Sequence, residues 1–202
     1  MMLKIIDYIL DFIFPPNRNE VEIRNISKEV IYNKYSFKNE WNSSIYPYQV
    51  PIIKELVWQI KYKNNKKAIE IAGYSLYCEL IKHNQPLLLI PVPISKERRR
   101  ERGYNQCELM IDEIIKLDKD QIFKKDFNFI IRNRNIEKQT HKNRKERIVN
   151  SQKIFSLVKS IDNNQRIVII DDVTTTGSTL NEANRCLNEA GYNNIMTLTL
   201  AH

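Results

Sequence analysis

Short, continuous apolar runs alternate along most of the chain with longer segments in which apolar residues recur every three to four positions. The runs predict strands buried on both faces, and the helical spacing predicts the helices that cover them. Strands that alternate with helices favour an α/β fold with a doubly wound, mostly parallel sheet. We expect strands at 87–90, 127–131, 154–158, 167–170 and 195–200, and helices at 51–60, 67–82, 104–117 and 178–190.

The N-terminal part departs from this alternation. Residues 1–14 are apolar at helical spacing, which predicts an amphipathic helix lying on the core. Residues 17–44 are polar, with short β-like pieces at 30–35. We therefore expect two parts: a small helical and β appendage over 1–44, and the main α/β domain over 45–202.

The charge balance favours anionic partners. The 202 residues include 32 Lys and Arg against 24 Asp and Glu, which gives a formal net charge of +8. Nucleic acid, phosphorylated metabolites and anionic lipid all fit this surplus, as does a basic surface with no function beyond solubility. With 42% apolar residues the composition excludes a disordered chain. No apolar run approaches the roughly 18 residues that a membrane span needs, so we expect no integral membrane segment.

The cysteines are few and scattered. Cys78, Cys107 and Cys186 lie far apart, and no Cys-x-x-Cys pair occurs. This spacing argues against a zinc site and against a disulfide framework, and it favours a reducing cytoplasm as the compartment. Each cysteine falls in a helix-like segment, where a small buried apolar side chain is the favoured interpretation.

The most informative segment follows the strand predicted at 167–170. Asp171 and Asp172 come first, then a turn of hydroxyl residues around Gly177, and then a helix. Backbone N–H groups at a helix start attract anions, and glycine permits close approach of a ligand. Carboxylates accept hydrogen bonds from a sugar diol or hold Mg²⁺. A simple helix cap needs only one such side chain, so this segment predicts a sugar-phosphate site.

A second cluster follows the strand predicted at 87–90. After Pro91-Val92-Pro93 comes the run Arg98-Arg99-Arg100-Glu101-Arg102-Gly103-Tyr104-Asn105-Gln106. Guanidinium groups match phosphate geometry, and several of them suit a pyrophosphate. A solvated charged loop is the alternative. Because a phosphate site is predicted elsewhere in the same fold, we expect pyrophosphate binding by Arg98, Arg100, Arg102, Gly103 and Asn105.

A third cluster lies between Arg132 and Lys153, where eight Lys and Arg residues face only Glu137 and Glu146. Such a segment could form a lid over a phosphate site, or it could track a nucleic-acid backbone. The candidate residues for either role are Gln139, Lys142, Arg144, Lys145, Arg147 and Asn150.

The segment with the two acids resembles the 5-phosphoribosyl-1-pyrophosphate (PRPP) motif of type I phosphoribosyltransferases. The resemblance implies the fold of those enzymes, and it implies that Asp171 and Asp172 hold the ribose hydroxyls and, through PRPP, Mg²⁺. No residue is expected to hold zinc. The resemblance assigns the 5′-phosphate to the residues that follow: Val173, Thr174, Thr175, Thr176, Gly177, Ser178 and Thr179.

Together the three clusters resemble the ComF family of competence-associated, phosphoribosyltransferase-like proteins. That family's pattern runs Pro-x-Pro, Arg-x-Arg-Gly-(Phe/Tyr)-Asn-Gln, a basic segment with Gln, Arg and Asn, and Asp-Asp-Val-x-Thr-Thr-Gly-x-Thr. Residues 46–56, followed by Lys61-Tyr62-Lys63, also resemble the family's first helix. The resemblance covers about residues 45–202. It implies a role in natural transformation, with PRPP, single-stranded DNA and other DNA-uptake proteins as partners.

The chain departs from its relatives at two places. The ComF family usually carries a four-cysteine zinc module near the N-terminus, but the first cysteine here is Cys78. Purine salvage enzymes often carry an Asp three positions after the second acid, where this chain has Thr175.

Two main hypotheses stay open. The first is an enzyme that transfers the phosphoribosyl group of Mg-PRPP to an unknown acceptor. The second is a non-catalytic, PRPP-responsive protein that binds single-stranded DNA. A PRPP-sensing regulator is a weaker third, because no helix-turn-helix is visible.

Overall fold

The computed structural model describes residues 15–37, 43–133 and 154–202. The helices are α1 (Arg18–Asn25), α2 (Lys28–Tyr35), α3 (Pro51–Trp58), α4 (Lys66–Leu80), α5 (Lys96–Arg102), α6 (Gln106–Leu117) and α7 (Ser178–Glu189). A π-helical turn (Gln59–Lys63) continues α3, and a 3₁₀ turn (Ile81–His83) continues α4. The strands are β1 (Ser44–Tyr46), β2 (Leu87–Pro91), β3 (Phe123–Lys125), β4 (Ile130–Arg132), β5 (Phe155–Leu157), β6 (Ile167–Val173) and β7 (Ile195–Ala201).

A five-stranded parallel sheet forms the centre of the fold, in the order β1-β7-β6-β2-β3. Its two longest strands, β6 and β7, lie side by side with Ile169 opposite Thr197. On the other side β6 pairs with β2, with Val168 opposite Leu89. The continuous apolar runs of β2 and β6 fit this central position, because such strands are covered on both faces.

Alternate residues of the central strands pack into two separate cores. Leu89, Val168 and Ile170 join the core formed with α3, α4 and α6. Ile90 and Ile169, which point the other way, join the core formed with α7 and the β4–β5 pair. Both faces of the sheet are therefore covered, which confirms the predicted doubly wound α/β fold.

The segment predicted to hold β-like pieces is helical instead. Val30 to Tyr35 belong to α2, whose first turn is capped by the Ser27 hydroxyl accepting from Val30 N at 3.3 Å. Ile23 of α1 and Ile31 of α2 are fully buried in the same core as α3 and α4. The predicted boundary after residue 44 falls within β1, which pairs with β7; the division into two parts stays a prediction.

The strand predicted at 127–131 is wrong in its position. The strand that pairs with β2 is β3 at 123–125, where the Asp118 carboxylate accepts from Phe123 N at 2.6 Å. Residues 130–132 form β4, which pairs antiparallel with β5 in a separate two-stranded sheet. The predicted run is not one strand, because Phe127 packs against the core on the α4 side of the sheet and Phe129 is buried in the core on the α7 side. Residues two apart in a strand would face the same side. Phe129 packs there against the ring of Tyr192, with 5.6 Å between the ring centroids.

No helix within the described ranges is long and apolar enough to cross a membrane. The predicted amphipathic helix at 1–14 lies outside the described residues.

Helices α4 and α6 approach each other closely at Gly73, and this contact gives a stability prediction. A Cβ atom at this position would clash with Glu113 Cβ and lie 3.2 Å from Met110 O. We expect Gly73→Ala to lower the free energy of unfolding by about 2 kcal/mol, although alanine is the better helix former. Urea unfolding measures the change.

The reciprocal exchange Gly73→Ala with Glu113→Gly is the control, because it moves the Cβ from one helix to the other. It should recover part of the lost stability. An unchanged or increased stability in Gly73→Ala alone would contradict the close approach.

Candidate active site

The candidate site lies where β2 and β6 end side by side. The chain leaves β6 through α7 towards β7, and it leaves β2 through α5 and α6 towards β3, in the opposite direction across the sheet. Val92 N donates to Ile170 O at 2.9 Å, which holds the segment after β2 against the end of β6. Ligands of open α/β sheets bind at the carboxyl ends of the strands where the connections diverge in this way.

Two acids at the end of β6 line this crevice in different environments. Asp171 is partly exposed, and its Oδ1 accepts from Asp172 N at 2.9 Å. Asp172 is only 4% exposed, and its Oδ1 accepts from Val173 N at 2.7 Å. Among the described residues no aligned hydrogen-bond donor reaches Asp172 Oδ2, which instead forms an ion pair with Lys61 Nζ at 3.1 Å.

The environment of Asp171 changes its acidity. Burial, and then the neighbouring Asp172 carboxylate, raise the pKa of Asp171 to about 7. The hydrogen bond from Asp172 N, the contact with Cys107 and the Lys61 ammonium oppose this rise in pKa. Two adjacent carboxylates ionise together more easily when a cation stands between them. The pair therefore favours a cation or a ligand that donates hydrogen bonds.

Two residues at the acids were not predicted as site residues. Lys61 lies in the π-helical turn, 111 positions before its partner in sequence, and the side chains of both are largely buried (22% and 6% exposed). Cys107, in the first turn of α6, places its Sγ 3.6 Å from Asp171 Oδ1. Burial and then the charge of Asp171 raise the pKa of this thiol well above its usual value, so it stays protonated. The sequence signal that could have marked Cys107 as a site residue is its position directly after the Gly-Tyr-Asn-Gln run.

The turn after the acids presents free backbone donors. Gly177, with φ of +71°, caps α7, and Ser178 N reaches only Thr176 Oγ1 at 3.4 Å. Within the part of the chain that the structure describes, the N–H groups of Thr175, Thr176, Gly177 and Thr179 have no acceptor. Such a set at the start of a twelve-residue helix forms an anion cradle, to which the helix dipole contributes.

A cavity of about 630 Å³ opens beside this turn. Its walls come from the turn itself, from Asn181 and Asn184 of α7, and from Phe37, Ser44 and Thr197 on the β1–β7 side. Neither Asp171 nor Asp172 lines it. The cavity therefore adjoins the turn and its free N–H groups, whereas the two acids lie outside its lining.

The predicted pyrophosphate arginines lie on a helix and not on a loop. Ser95 caps α5, whose charged residues are mostly exposed, and Gly103, with φ of +80°, ends it. Arg99 pairs with Glu108, and Arg102 Nη1 donates to Gln106 Oε1 at 2.9 Å. Arg98 and Arg100 are exposed to solvent.

Asn105 and Tyr104 hold local structure together. Asn105 is 1% exposed; its Nδ2 donates to Val92 O at 3.0 Å, and its Oδ1 caps α6 at Cys107 N. This cap starts the helix at Gln106, two residues later than predicted. The Tyr104 hydroxyl donates to Ile60 O at 2.8 Å and accepts from Asn64 N at 3.1 Å. Asn105 thus holds the segment after β2 in place, and Tyr104 holds the π-helical turn that carries Lys61.

Comparison with known proteins identifies relatives of this chain in sequence. The family model of the phosphoribosyl transferase domain matches residues 115–202. The competence protein ComFC of Bacillus subtilis is 34% identical over 152 residues, which are 74% of this chain and 59% of that protein. Over this stretch the comparison supports the resemblance to the ComF family. Competence protein F of Haemophilus influenzae is also 34% identical, over 57% of this chain and 50% of that protein.

The matched part of this chain spans between one half and three fifths of the curated relatives' length. Among solved structures, a hypoxanthine phosphoribosyltransferase from Staphylococcus aureus is similar with a TM-score of 0.42 and 18% identity, covering 65% of this chain and 61% of that one.

Magnesium, which the likeness to the phosphoribosyl transferase domain implies, fits the acids of the candidate site. Asp171 and Asp172 supply hard oxygen donors, and Asp172 Oδ2 has a cation for its partner already in the Lys61 ammonium. Among the described residues there is no group of three or more His, Cys, Asp or Glu side chains that could hold a metal ion. The expectation that no zinc is bound stays a prediction.

The residues predicted to form a lid or to contact nucleic acid lie outside the described residues, in the segment 134–153. They are Gln139, Lys142, Arg144, Lys145, Arg147 and Asn150.

Proposed function

We propose that this chain binds PRPP with Mg²⁺ at the ends of β2 and β6 and acts in natural transformation. The observation that carries the proposal is the juxtaposition of two acids and a set of free N–H groups at the point where the strand connections diverge. The role in transformation is supported by the relatives, which are named as competence proteins.

The proposed site divides the ligand among three groups of residues. Asp171 and Asp172 accept hydrogen bonds from the ribose hydroxyls and offer oxygen atoms to Mg²⁺. The free N–H groups of the turn and its hydroxyls, from Thr174 to Thr179, receive the 5′-phosphate. The N–H groups of Val173 and Thr174 already donate to Asp172 Oδ1 and to Ala201 O. The exposed guanidinium groups of Arg98 and Arg100 are available to the pyrophosphate.

As an enzyme, the chain would transfer the phosphoribosyl group to an acceptor. The bond between ribose C1 and the pyrophosphate oxygen breaks, the electron pair leaves with the pyrophosphate, and the acceptor atom bonds to C1. Positioning and charge serve the cation-like transition state. The thiol of Cys107 is no nucleophile here, because it is fully buried and its raised pKa keeps it protonated.

Calorimetric titration with PRPP, with and without Mg²⁺, tests the proposal. We expect binding that Mg²⁺ strengthens. The double substitution Asp171→Ala with Asp172→Ala should weaken it by about a hundredfold or more, because hydrogen bonds to charged groups contribute about 1.5–3 kcal/mol each. A pyrophosphate-release assay with candidate acceptors then decides whether transfer occurs.

The matched control is Asp112→Ala with Asp120→Ala, which removes two acids on and after α6 whose residues are partly or fully exposed. This variant should bind PRPP as the unchanged protein does. Equal affinity in the two double variants would refute the assignment of Asp171 and Asp172.

A second candidate is a non-catalytic, PRPP-responsive protein that binds single-stranded DNA. The net charge of +8 and the exposed charged surface of α5, with Arg98 and Arg100, favour it. It requires the same PRPP site, and it would release no pyrophosphate with any acceptor.

A further inference from the structure

Three aromatic residues lie along one surface and are here called the aromatic strip: the partly buried Tyr48 and the exposed Trp58 and Tyr62. Trp58 ends α3 and is 45% exposed, and Tyr62 in the π-helical turn is 61% exposed. Their ring centroids are 6.0 Å apart with an interplanar angle of 47°. Tyr48 joins the strip through a shared groove with Trp58. The exposed rings of Trp58 and Tyr62 contribute little to the core, against which Tyr48 packs.

Each ring of the aromatic strip has a cation near it. Lys63 Nζ lies 5.0 Å from the Trp58 centroid, and Arg102 Cζ lies 5.0 Å from that of Tyr62. Lys54 Nζ lies 5.9 Å from the Tyr48 centroid. Arg102 is also the last residue of α5, so the strip continues directly into the arginine-rich helix.

A groove of about 500 Å³ runs along the strip between the start of α1 and α3. Tyr48, Lys54 and Trp58 line it, and so does Glu55. This carboxylate is already engaged, because Asn17 Nδ2 and Gln59 Nε2 donate to it at 3.1 and 3.0 Å. The volume is within the range that encloses a small planar ligand.

The second acid near the strip is also paired. Glu20 accepts from Lys63 Nζ at 2.9 Å and from Arg24 Nη2 at 3.1 Å. Cations therefore outnumber carboxylates around the strip. Both carboxylates already accept hydrogen bonds from other side chains of the protein.

The π-helical turn presents Tyr62 from a braced backbone. The Tyr104 hydroxyl bridges Ile60 O and Asn64 N, and Asn65 Nδ2 donates to Gln59 Oε1 at 2.8 Å. A ring held in this way loses little conformational freedom when a ligand stacks on it, which favours binding.

We propose that the aromatic strip stacks the bases of single-stranded DNA while the cations of Lys54 and α5 contact its phosphates. Aromatic faces bordered by cations suit a strand of flat bases joined by phosphates, because base–aromatic stacking contributes about 1–3 kcal/mol per base and needs no particular sequence. An apolar protein partner would meet charged groups around every ring. The choice of DNA rests on the proposed role in transformation.

Tryptophan fluorescence tests the proposal directly. The chain has two tryptophans, so Trp41→Phe leaves Trp58 as the sole one. We expect an oligothymidylate of about a dozen nucleotides to quench Trp58 on binding, and the matched duplex not to do so. Binding without quenching, equal binding of the duplex, tighter binding of the matching RNA, or no binding at low salt would each overturn the proposal.

Variants separate stacking from charge. Trp58→Ala and Tyr62→Ala should each weaken binding by about tenfold, and Trp58→Phe should retain most of the affinity. Lys54→Ala should flatten the slope of log affinity against log salt by about 0.7, whereas the exposed Lys116→Ala should not. Unchanged affinity in Trp58→Ala with Tyr62→Ala would place the DNA elsewhere.

The same variants distinguish this proposal from the PRPP proposal. Trp58→Ala with Tyr62→Ala should bind PRPP as the unchanged protein does, since neither ring contacts the acids. The DNA titration contains no PRPP, so a failure to bind PRPP leaves its outcome unaffected.

Discussion

Replacing Lys61 with methionine is expected to lower the free energy of unfolding by about 3 kcal/mol at neutral pH. The substitution keeps an apolar stem of similar length but leaves the Asp172 carboxylate, whose side chain is 6% exposed, without its cation. Removing one partner of a buried ion pair costs far more than removing one of an exposed pair, because the remaining charge stays desolvated. Urea unfolding measures the loss.

The loss should depend on the second partner of the ion pair. Lys61→Met with Asp172→Asn should recover most of the loss at neutral pH. Lys116→Met, at an ion pair whose lysine side chain is 66% exposed, is the matched control. A loss no larger than in that control would contradict a buried pair.

The substitution Asp171→Asn is expected to stabilise the protein above pH 7. The pKa of Asp171 rises from 3.8 to about 7 on folding, chiefly through burial and the Asp172 charge. Between these two values the unfolded chain releases a proton that the folded protein retains, so the carboxyl group destabilises the fold increasingly as the pH rises. Above pH 7 the cost is constant. We expect this cost to be about 2 kcal/mol, less than the full pKa shift would give, because Asp171 is partly exposed to solvent.

Measuring the free energy of unfolding of both proteins across the pH range tests whether Asp171→Asn is stabilising, as expected. The stability difference should be near zero below pH 4 and should grow up to about pH 7. The asparagine amide oxygen can still accept from Asp172 N, so the local hydrogen bond is kept. A variant that is less stable than the unchanged protein at pH 8 would contradict the raised pKa. Loss of PRPP binding in this stabilised variant would show that the acid serves binding at the expense of stability.

The central strands were predictable because their sequences carry one dominant signal. The apolar runs of β2 and β6 can be buried only in the middle of a covered sheet, and the acids and Gly177 that follow β6 mark the turn into α7. The short edge strands carry no such signal: β3 has a single apolar residue, Phe123, followed by two lysines. In α2 the β-branched residues Val30 and Ile31 favour a strand. The segment is nevertheless helical, because Ser27 caps it and Ile31 is buried in the core with α4.

The site itself was only partly predictable, because some of its contacts join distant parts of the chain. The acids and the hydroxyl turn are contiguous in sequence, so their chemistry can be recognised together. The pairing of Lys61 with Asp172 depends on how α3 packs against the sheet, and nothing local to Lys61 indicates it. The run from Arg98 to Arg102 indicates charge but not its helical form, which depends on the Ser95 cap.

The π-helical turn has a consequence for how two ligands would influence each other. Its five residues include Lys61, which pairs with Asp172, and Tyr62, which belongs to the aromatic strip. A ligand that binds the two acids and displaces Lys61 from Asp172 changes the forces on the short backbone segment that also carries Tyr62. If this ligand changes the affinity for a DNA strand on Tyr62 by some factor, then by thermodynamic reciprocity the strand changes the affinity for the ligand at the acids by the same factor.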